Sequence, residues 1–413
     1  MEIMTTKTKV ILALQHVLAM FGSTVLVPRL TGLDPSLAIF TAGIGTLLFH
    51  FCTSGKIPVF LGSSFAFISA LQVVLASEGI AYVKGGVICA GLVYVLMSLL
   101  IRTFGVDRVR SFFPPIVNGP IIMVIGLRLS GTAMGMAGVT SDGTDYFALS
   151  IAAIVVITMI AVSIFAKSFF KLVPILIAIV TGSICAYVSD LAFATNFVDL
   201  SVVQTSSWIG FSNNAFDILL TLPKFSVSGV LAIAPIALVV FMEHIGDITT
   251  NGAVVGKDFF KDPGVHKSMM GDGLATLAAG FIGGPPNTTY GENTGVLAVT
   301  KVYDPSIIRL AAVFAIALSL IGKLNGLIQS IPVAVMGGVS IILFGMIASI
   351  GIRTLKEAEL DFSHSRNLMI ASVIFVTGIG IDQMVAFGSV TISGLTVAAI
   401  CGVVLNKVLP EDV

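Results

Sequence analysis

Residues 285–295 read PPNTTYGENTG, a polar stretch set between apolar runs and followed by Val296 to Val299. Proline, glycine and β-branched residues dominate this stretch, so its first part is a poor helix former. The apolar helix that can follow is only about ten residues long, whereas crossing a bilayer takes about 20. Non-helical backbone inside a membrane is tolerated only where protein covers it or where it lines a cavity. The stretch therefore predicts a broken membrane span that carries Glu292 near the middle of the membrane.

The first half of the chain contains a faint counterpart of this stretch. Residues 57–65 read IPVFLGSSF, and Gly62 to Phe65 lie 228 residues before Tyr290 to Asn293. The pair Gln15-His16 lies the same distance before Glu243-His244. We expect two half-helices that approach from opposite leaflets, with the unpaired N–H groups and positive dipole ends of their N-termini near the midplane. Re-entrant loops or surface connections are the alternative interpretation.

The composition is that of a membrane protein, with 56% hydrophobic and 11% charged residues and a net charge of zero. A soluble domain carries about 25% charged residues, so a soluble core is excluded. The zero net charge gives no indication of a nucleic acid partner. All four cysteines lie in apolar runs without CxxC spacing, which predicts neither disulfides nor metal ligands. No cofactor is predicted.

Segmenting the chain by apolar length and by glycine, proline and charge predicts fourteen spans. If the N-terminus is cytoplasmic, most of the 22 Lys and Arg residues fall on the cytoplasmic side, as the positive-inside rule requires. Two units of seven spans must enter the membrane in opposite orientations, because seven is odd. The sequence thus predicts an all-α polytopic membrane protein of fourteen transmembrane segments in two inverted seven-span repeats. We expect it in the cytoplasmic membrane with both termini in the cytoplasm.

Glu243 and Asp247 are four residues apart and therefore share one face of a predicted helix. A charged group at membrane depth costs about 2.5–3.5 kcal/mol, which makes it a functional candidate. Two carboxylates this close in a low dielectric cannot easily both ionise, so the pair is a natural proton-coupling element. The alternatives are that Asp247 is solvated at the cytoplasmic interface and that Glu243 is bonded to Ser, Thr or backbone. We interpret His16 and His244 as packing or hydrogen-bonding residues.

Residues 292–301 carry a motif that points to a family. Its signature is an acidic or Gln residue followed by Asn-x-Gly-x-x-x-x-Thr-Arg/Lys, which Glu292-Asn293-Thr294-Gly295 through Thr300-Lys301 matches. Gln15-His16 matches the family's Gln-His pair in the first span. Over its whole length the chain resembles the nucleobase–ascorbate transporter family (nucleobase–cation symporter 2), and within that family the bacterial uracil permeases.

The resemblance implies a division into two domains and a place for the substrate. Spans 1–4 (residues 1–110) and 8–11 (residues 229–325) would form a core domain. Spans 5–7 (residues 111–228) and 12–14 (residues 326–413) would form a gate domain, through which a homodimer is implied. Substrate would bind between short antiparallel strands in the broken third and tenth spans, and transport would be coupled to protons.

The resemblance also implies the roles of individual residues. Glu243 and Glu292 would accept hydrogen bonds from nucleobase N–H groups, which suits uracil because it offers two N–H donors and two carbonyl acceptors. Proton coupling is assigned to Glu243 and Asp247 from their spacing, since the resemblance leaves the coupling route open. The further substrate-binding residues implied are Phe65, Gly291, Tyr290 and Ser23, with Gln15, His16, His244, Asn293 and Ser64 in support.

Two departures from the resemblance and three rival functions stay open. The uracil permeases often have His where this chain has Asp247 and Tyr where it has Phe344, at positions linked to proton coupling. A xanthine or purine permease of the same family is the nearest rival, although such relatives usually carry Gln in place of Glu292. An anion transporter on the same scaffold is a second rival, since half-helix N-termini favour anions. A membrane enzyme is the third, and no HExxH, GxSxG or metal-cluster motif supports it.

Overall fold

A computed structural model describes residues 5–112, 114–381, 385–387 and 390–410 of the chain. The described part consists mainly of α-helices and also contains three pairs of short strands. In chain order the helices are α1 (Thr6–Thr31), α2 (Pro35–Cys52), α3 (Ile68–Ser77), α4 (Ile80–Phe104), α5 (Val106–Arg110), α6 (Pro115–Arg128), α7 (Ser130–Met136), α8 (Tyr146–Phe165), α9 (Pro174–Phe193), α10 (Ser201–Thr205), α11 (Asn213–Leu220), α12 (Val227–Ile233), α13 (Ile236–Val255), α14 (Val265–Ile282), α15 (Gly291–Thr300), α16 (Pro305–Ser319), α17 (Gly322–Gln329), α18 (Val333–Glu357), α19 (Ser365–Gly380) and α20 (Gly394–Val408). The strands are β1 (Leu61–Ser63), β2 (Val139–Thr140), β3 (Gly143–Thr144), β4 (Asn287–Thr289), β5 (Val385–Phe387) and β6 (Val390–Ile392).

Many of these helices are long and apolar enough to cross a membrane. Within the described residues, eight stretches meet that standard by length and composition, or nine if α16 and α17, bent by 81°, form one span. Three shorter apolar helices, at Phe65–Ser77, Ser365–Gly380 and Gly394–Val408, accompany them. The chain is therefore a multi-pass membrane protein, while the count of fourteen spans stays a prediction.

The two polar stretches of the sequence meet in a strand pair inside this bundle. Strand β1 runs antiparallel to β4, with Leu61 opposite Thr289 and Ser63 opposite Asn287. Both strands are buried. Helix α3 follows β1 and helix α15 follows β4, and each has ten residues, or roughly 15 Å at 1.5 Å per residue. Each is therefore a half-helix that begins close to the strand pair.

Neighbouring helices supply the hydrogen bonds that this non-helical backbone needs. The hydroxyl of Thr46 on α2 accepts from Leu61 N at 2.9 Å, and that of Thr276 on α14 accepts from Asn287 N at 3.2 Å. Close approach also depends on Gly62, since a Cβ there would lie 2.3 Å from ring atoms of Tyr290. The strand pair is thus stabilised by side chains from both halves of the chain.

Glycines let the long helices pack closely, as is common between membrane helices. Helices α4 and α14 meet at Gly91, Gly273 and Gly280. A Cβ on Gly91 would lie 2.7 Å from the backbone nitrogen of Leu277, and one on Gly280 would lie 2.8 Å from that of Ile88. The neighbour in each case is backbone, which cannot rotate away, so any larger residue must push the two helices apart.

The α4–α14 contact provides a first prediction. We expect Gly91→Ala to lower the temperature at which the purified protein aggregates, because overpacking costs about 1–3 kcal/mol. Gly131→Ala is the matched control. A Cβ at that helical glycine would meet no neighbouring atom within 4 Å in the part of the chain that the structure describes, so alanine's higher helix propensity leaves stability unchanged or raised. Size-exclusion chromatography after heating to a series of temperatures measures the temperature at which half of each variant has aggregated. Equal aggregation midpoints for Gly91→Ala and Gly131→Ala would contradict the packing account.

Candidate functional site

Glu292 lies in the first turn of α15, next to the strand pair. The hydroxyl of Ser23, on α1, donates a hydrogen bond to Glu292 Oε1 at 2.6 Å. Ser23 is fully buried and Glu292 is half-buried. A hydrogen bond to a carboxylate is stronger than one between neutral groups, so Ser23 orients the Glu292 carboxylate.

Glu243 and Asp247 approach the same place from helix α13. Asp247 Oδ2 accepts a hydrogen bond from the hydroxyl of Thr289 at 2.6 Å, and Thr289 is the last residue of β4. Glu243 is close enough to interact electrostatically with both Asp247 and Glu292. Within the part of the chain that the structure describes, the ion pairs include none of these three acids. Three half-buried carboxyl groups therefore face one another near the strand pair.

Backbone donors lie beside these acceptors. The short 3₁₀ turn Phe65–Phe67 begins after Ser64, and α15 begins after Tyr290. Neither Ser64 nor Tyr290 caps its helix with a side-chain hydrogen bond. The Oγ of Ser64 is buried, and among the described residues it has no hydrogen-bond partner. The N–H groups of both first turns are therefore not occupied by a capping side chain, and the site combines carboxylate acceptors with backbone donors.

Phe65 and Tyr290, the two aromatic residues predicted to contact the substrate, have different surroundings. The ring of Phe65 meets Phe344 of α18 edge to face, with centroids 6.4 Å apart. The ring of Tyr290 is only 3% exposed, and its hydroxyl donates to the carbonyl oxygen of Ser63 at 2.9 Å. Tyr290 thus joins the two strands, while Phe65 lies between the predicted core and gate domains. A ring contact between either residue and a ligand stays a prediction.

The predicted supporting residues form bridges between helices. The amide of Asn293 lies 3.1 Å from His16 Nδ1 and donates to the carbonyl oxygen of His16 at 3.1 Å, which joins α15 to α1. Gln15 is half-buried next to it. His244 points away toward α14, where its ring nitrogens contact Asp272 at 2.8 Å and Ser268 at 2.9 Å.

Asp272 and Thr289 are the polar residues that the sequence analysis missed. Asp272 is fully buried and paired with His244, and Thr289 holds Asp247. A sequence signal for Asp272 exists, because a carboxylate flanked by Gly271 and Gly273 in an apolar helix is rare within a membrane. Thr289 carries no such signal, since threonine is common in strands and helices alike.

Glu243, Asp247 and Glu292 form what we call the acid cluster, and one side of this cluster is open. Gly246 of α13 and Gly291 and Gly295 of α15 are exposed, and a Cβ at Gly246 or Gly295 would meet no neighbouring atom of the described residues within 4 Å. The exposed face of α15 continues from Gly291 to Val299, near Lys301. On the other side, Phe65 and Arg128 line a small cavity between α3, α6 and α13. The described structure thus leaves the surface around Gly246, Gly291 and Gly295 uncovered.

Comparison with known sequences identifies the class of protein. The sequence profile of the Permease family (Xan_ur_permease) matches residues 7–387. The chain is 44% identical over 404 residues to the uracil permease of Bacillus caldolyticus, covering 97% of this chain and 91% of that protein. It is 43% identical to the uracil permease of Bacillus subtilis (97% and 92% covered) and 41% identical to that of Escherichia coli K12 (97% and 93% covered). The chain therefore belongs to this permease family, the nucleobase–ascorbate transporters, and is not an enzyme.

Solved structures with the same fold belong to more distant transporters. The transmembrane domain of the cyanobacterial bicarbonate transporter BicA has a TM-score of 0.67 and 17% identity, covering 95% of this chain and 96% of that one. The murine anion transporter Slc26a9, in the inward-facing state, has a TM-score of 0.66 and 12% identity, covering 97% and 67%. At these identities the likeness shows a shared fold alone.

The buried pair of His244 and Asp272 provides a second prediction. We expect Asp272→Leu to lower the thermal midpoint markedly, because removing one partner of a buried pair costs about 3–5 kcal/mol. Asp272→Asn keeps an acceptor for the imidazole and should lose less. Asp142→Leu, at an exposed turn, is the control and should change little. Equal thermal midpoints for Asp272→Leu and Asp142→Leu would show that the His244–Asp272 pair does not stabilise the protein.

Proposed function

We propose that this protein takes up uracil across the cytoplasmic membrane, with protons as the coupling ion. The observation that carries the proposal is the meeting of Glu243 and Glu292 beside two half-helix N-termini. Uracil has two N–H donors and two carbonyl acceptors, and two carboxylates with free backbone N–H groups form the complementary set. The uracil permeases among its relatives support the same substrate.

The proposed roles follow from the contacts around each residue. Glu243 and Glu292 accept hydrogen bonds from the two N–H groups of the base, and Ser23 keeps Glu292 in position. The backbone at Phe65 and Gly291 donates to the carbonyl oxygens, while the Phe65 ring packs on the base. A site built this way rejects analogues that lack these groups, because its own buried groups would be left unpaired.

The acid cluster supports the proposal of proton coupling. Glu243, Asp247 and Glu292 interact electrostatically, and three negative charges at membrane depth are costly. Binding one proton lowers that repulsion, so a proton and a neutral base can be bound together. Asp247 accepts a hydrogen bond from Thr289, the residue that precedes Tyr290. We propose Asp247 as the coupling residue, at the position where many relatives have His.

Transport by alternating access is part of the proposal. The core domain (residues 1–110 and 229–325) would move against the gate domain (residues 111–228 and 326–413), within fourteen spans and two inverted repeats. Under this proposal, the exposed face of α15 and the small cavity at Phe65 and Arg128 would belong to a state open toward the cytoplasm. A homodimer through the gate domains completes the proposal.

Two other classes of substrate, purines and anions, lead to different expectations. A purine permease would be inhibited by xanthine and hypoxanthine more strongly than by uracil, which a competition panel measures directly. An anion transporter is disfavoured because Glu243 and Glu292 place negative charge at the half-helix ends where an anion would bind.

Removing either glutamate charge tests the substrate site. We expect Glu292→Gln and Glu243→Gln each to abolish uptake of radiolabelled uracil, since an amide replaces one acceptor oxygen with a donor. Ser23→Ala should retain uptake with KM raised roughly 10-fold or more, the effect of losing a hydrogen bond to a charged group. Glu357→Gln, at an exposed site with 71% side-chain exposure, should behave like the parent protein. Normal uptake by a glutamate variant that is present in the membrane at parental level would exclude that residue from the site.

Driving transport with defined gradients tests the coupling. In proteoliposomes we expect a proton gradient to accumulate uracil, with uptake falling as external pH rises or when a protonophore is added. Asp247→Asn should lose accumulation against a gradient while exchange of internal for external uracil continues. Accumulation driven by a sodium gradient at constant pH would contradict the proton assignment.

A further inference from the structure

The connection between α9 and α12 begins and ends at one membrane surface. Helix α9 ends at Phe193 and α12 begins at Val227, and these helices belong to two successive spans. Between them lie only α10 and α11, of five and eight residues, far too short to cross a membrane. Phe193 and Val227 are 65% and 64% exposed, as lipid-facing side chains at the ends of spans are.

Large apolar side chains are exposed along this connection. Trp208 is 76%, Ile209 85% and Leu222 80% exposed. Large apolar side chains that a protein leaves exposed in one region mark a binding surface. We call the set the interfacial face; it consists of Trp208, Ile209, Phe216, Leu220, Leu222 and Phe225, all of which are exposed.

Helix α11 divides its side chains among three directions. Ala215 and Ile218 are buried against Leu37 of α2. Phe216 and Leu220, one turn apart on another side of the helix, are exposed. Asn214 and Asp217 occupy the remaining side and are exposed as well. A helix with protein on one side, apolar residues on the next and polar residues on the third is typical of one that lies along a membrane surface.

Two lysines attach this connection to the rest of the protein. Lys84 of α4 is buried and donates to the carbonyl oxygens of Ile218 (3.0 Å) and Thr221 (2.6 Å) at the end of α11. Lys323 of α17 donates to Val203 at 2.7 Å near the end of α10. Cations at helix C-termini are favourable. The exposed apolar side chains therefore sit on a segment that is fixed to the protein, and they do not belong to a free loop.

Lys323 also contacts Trp208 of the interfacial face. Its ammonium lies 5.6 Å from the ring centroid of Trp208, a cation–π distance. Close packing of the neighbouring backbone supports this arrangement, because a Cβ at Gly322 would lie 2.4 Å from the carbonyl oxygen of Ser207. Tryptophan with a cation beside it is characteristic of the boundary between lipid headgroups and acyl chains.

We propose that the interfacial face binds the lipid surface, with Trp208 and Phe216 at the boundary between headgroups and acyl chains. Lipid is the occupant because the connection that carries the face runs between the exposed apolar ends of two spans, Phe193 of α9 and Val227 of α12. The polar side of α11 also points away from it, where water would be. This surface lies outside the acid cluster, so its role does not depend on which substrate the site carries.

The chain has a single tryptophan, which makes Trp208 a built-in probe of depth. The parent protein is reconstituted into phosphatidylcholine vesicles containing lipid brominated near the headgroup, lipid brominated near the chain end, or none. We expect strong quenching of Trp208 by the shallow bromines, weaker quenching by the deep ones, and little quenching by aqueous iodide. Strong quenching by iodide with none by brominated lipid would overturn the proposal.

A matched pair of variants on α11 makes the test directional. In the Trp208→Phe background, Phe216→Trp should be quenched by brominated lipid, whereas Asn214→Trp, two residues away, should be quenched by iodide. Monodisperse elution on size exclusion verifies that both variants fold. If both tryptophans respond equally to iodide, or if Phe216→Trp is shielded from both quenchers as in an interface between two copies, the lipid assignment is wrong.

Discussion

Backbone that leaves the helical conformation inside a membrane must find its hydrogen-bond partners within the protein, because lipid offers none. In this chain the constraint applies at β1 and β4, where strands from the two halves pair with each other. Thr46 and Thr276 bond to the strand ends, and the amide of Asn287 donates to the carbonyl oxygen of Thr41 at 3.2 Å. The pairing needs residues that are far apart in the chain, such as Gly62 and Thr288, so the strand pair forms only when both halves have assembled.

The chemistry of the site depends on that strand pair. Helix α15 begins directly after β4, and α3 follows β1 through the short turn Phe65–Phe67, so both half-helices begin close to the strand pair. Hydroxyl groups hold the acids, with Ser23 on Glu292 and Thr289 on Asp247. Neutral donors keep the carboxylates oriented and leave them able to bind a proton or a ligand N–H, which a neighbouring lysine or arginine would oppose by charge.

The sequence predicted those features that local chemistry determines. Proline, glycine and threonine around residues 57–65 and 285–295 indicated broken spans, and the structure has short strands and half-helices there. Membership of the nucleobase–ascorbate transporter family, predicted from the signature at Glu292 to Lys301, is confirmed. The division into core and gate domains stays a prediction, as do the roles of the site residues.

The sequence did not indicate contacts that depend on how distant helices pack. The pairing of His244 with Asp272, 28 positions apart, and the bond from Thr289 to Asp247 arise where helices α13 and α14 and strand β4 meet. The burial of Tyr290 against Gly62 has the same origin, since only the strand register places that ring over a glycine. Periodicity along one helix carries no information about a partner on another helix.

The central claim is that two carboxylates at the strand pair accept the two N–H groups of one neutral base. Equilibrium binding of uracil, 1-methyluracil and 3-methyluracil to the purified protein tests it most directly, because each methyl group removes one N–H donor and leaves both carbonyl groups. The account predicts that each methylated base binds at least roughly 10-fold more weakly than uracil, the loss of one charge-assisted hydrogen bond. Binding of both methylated bases with the affinity of uracil would contradict it.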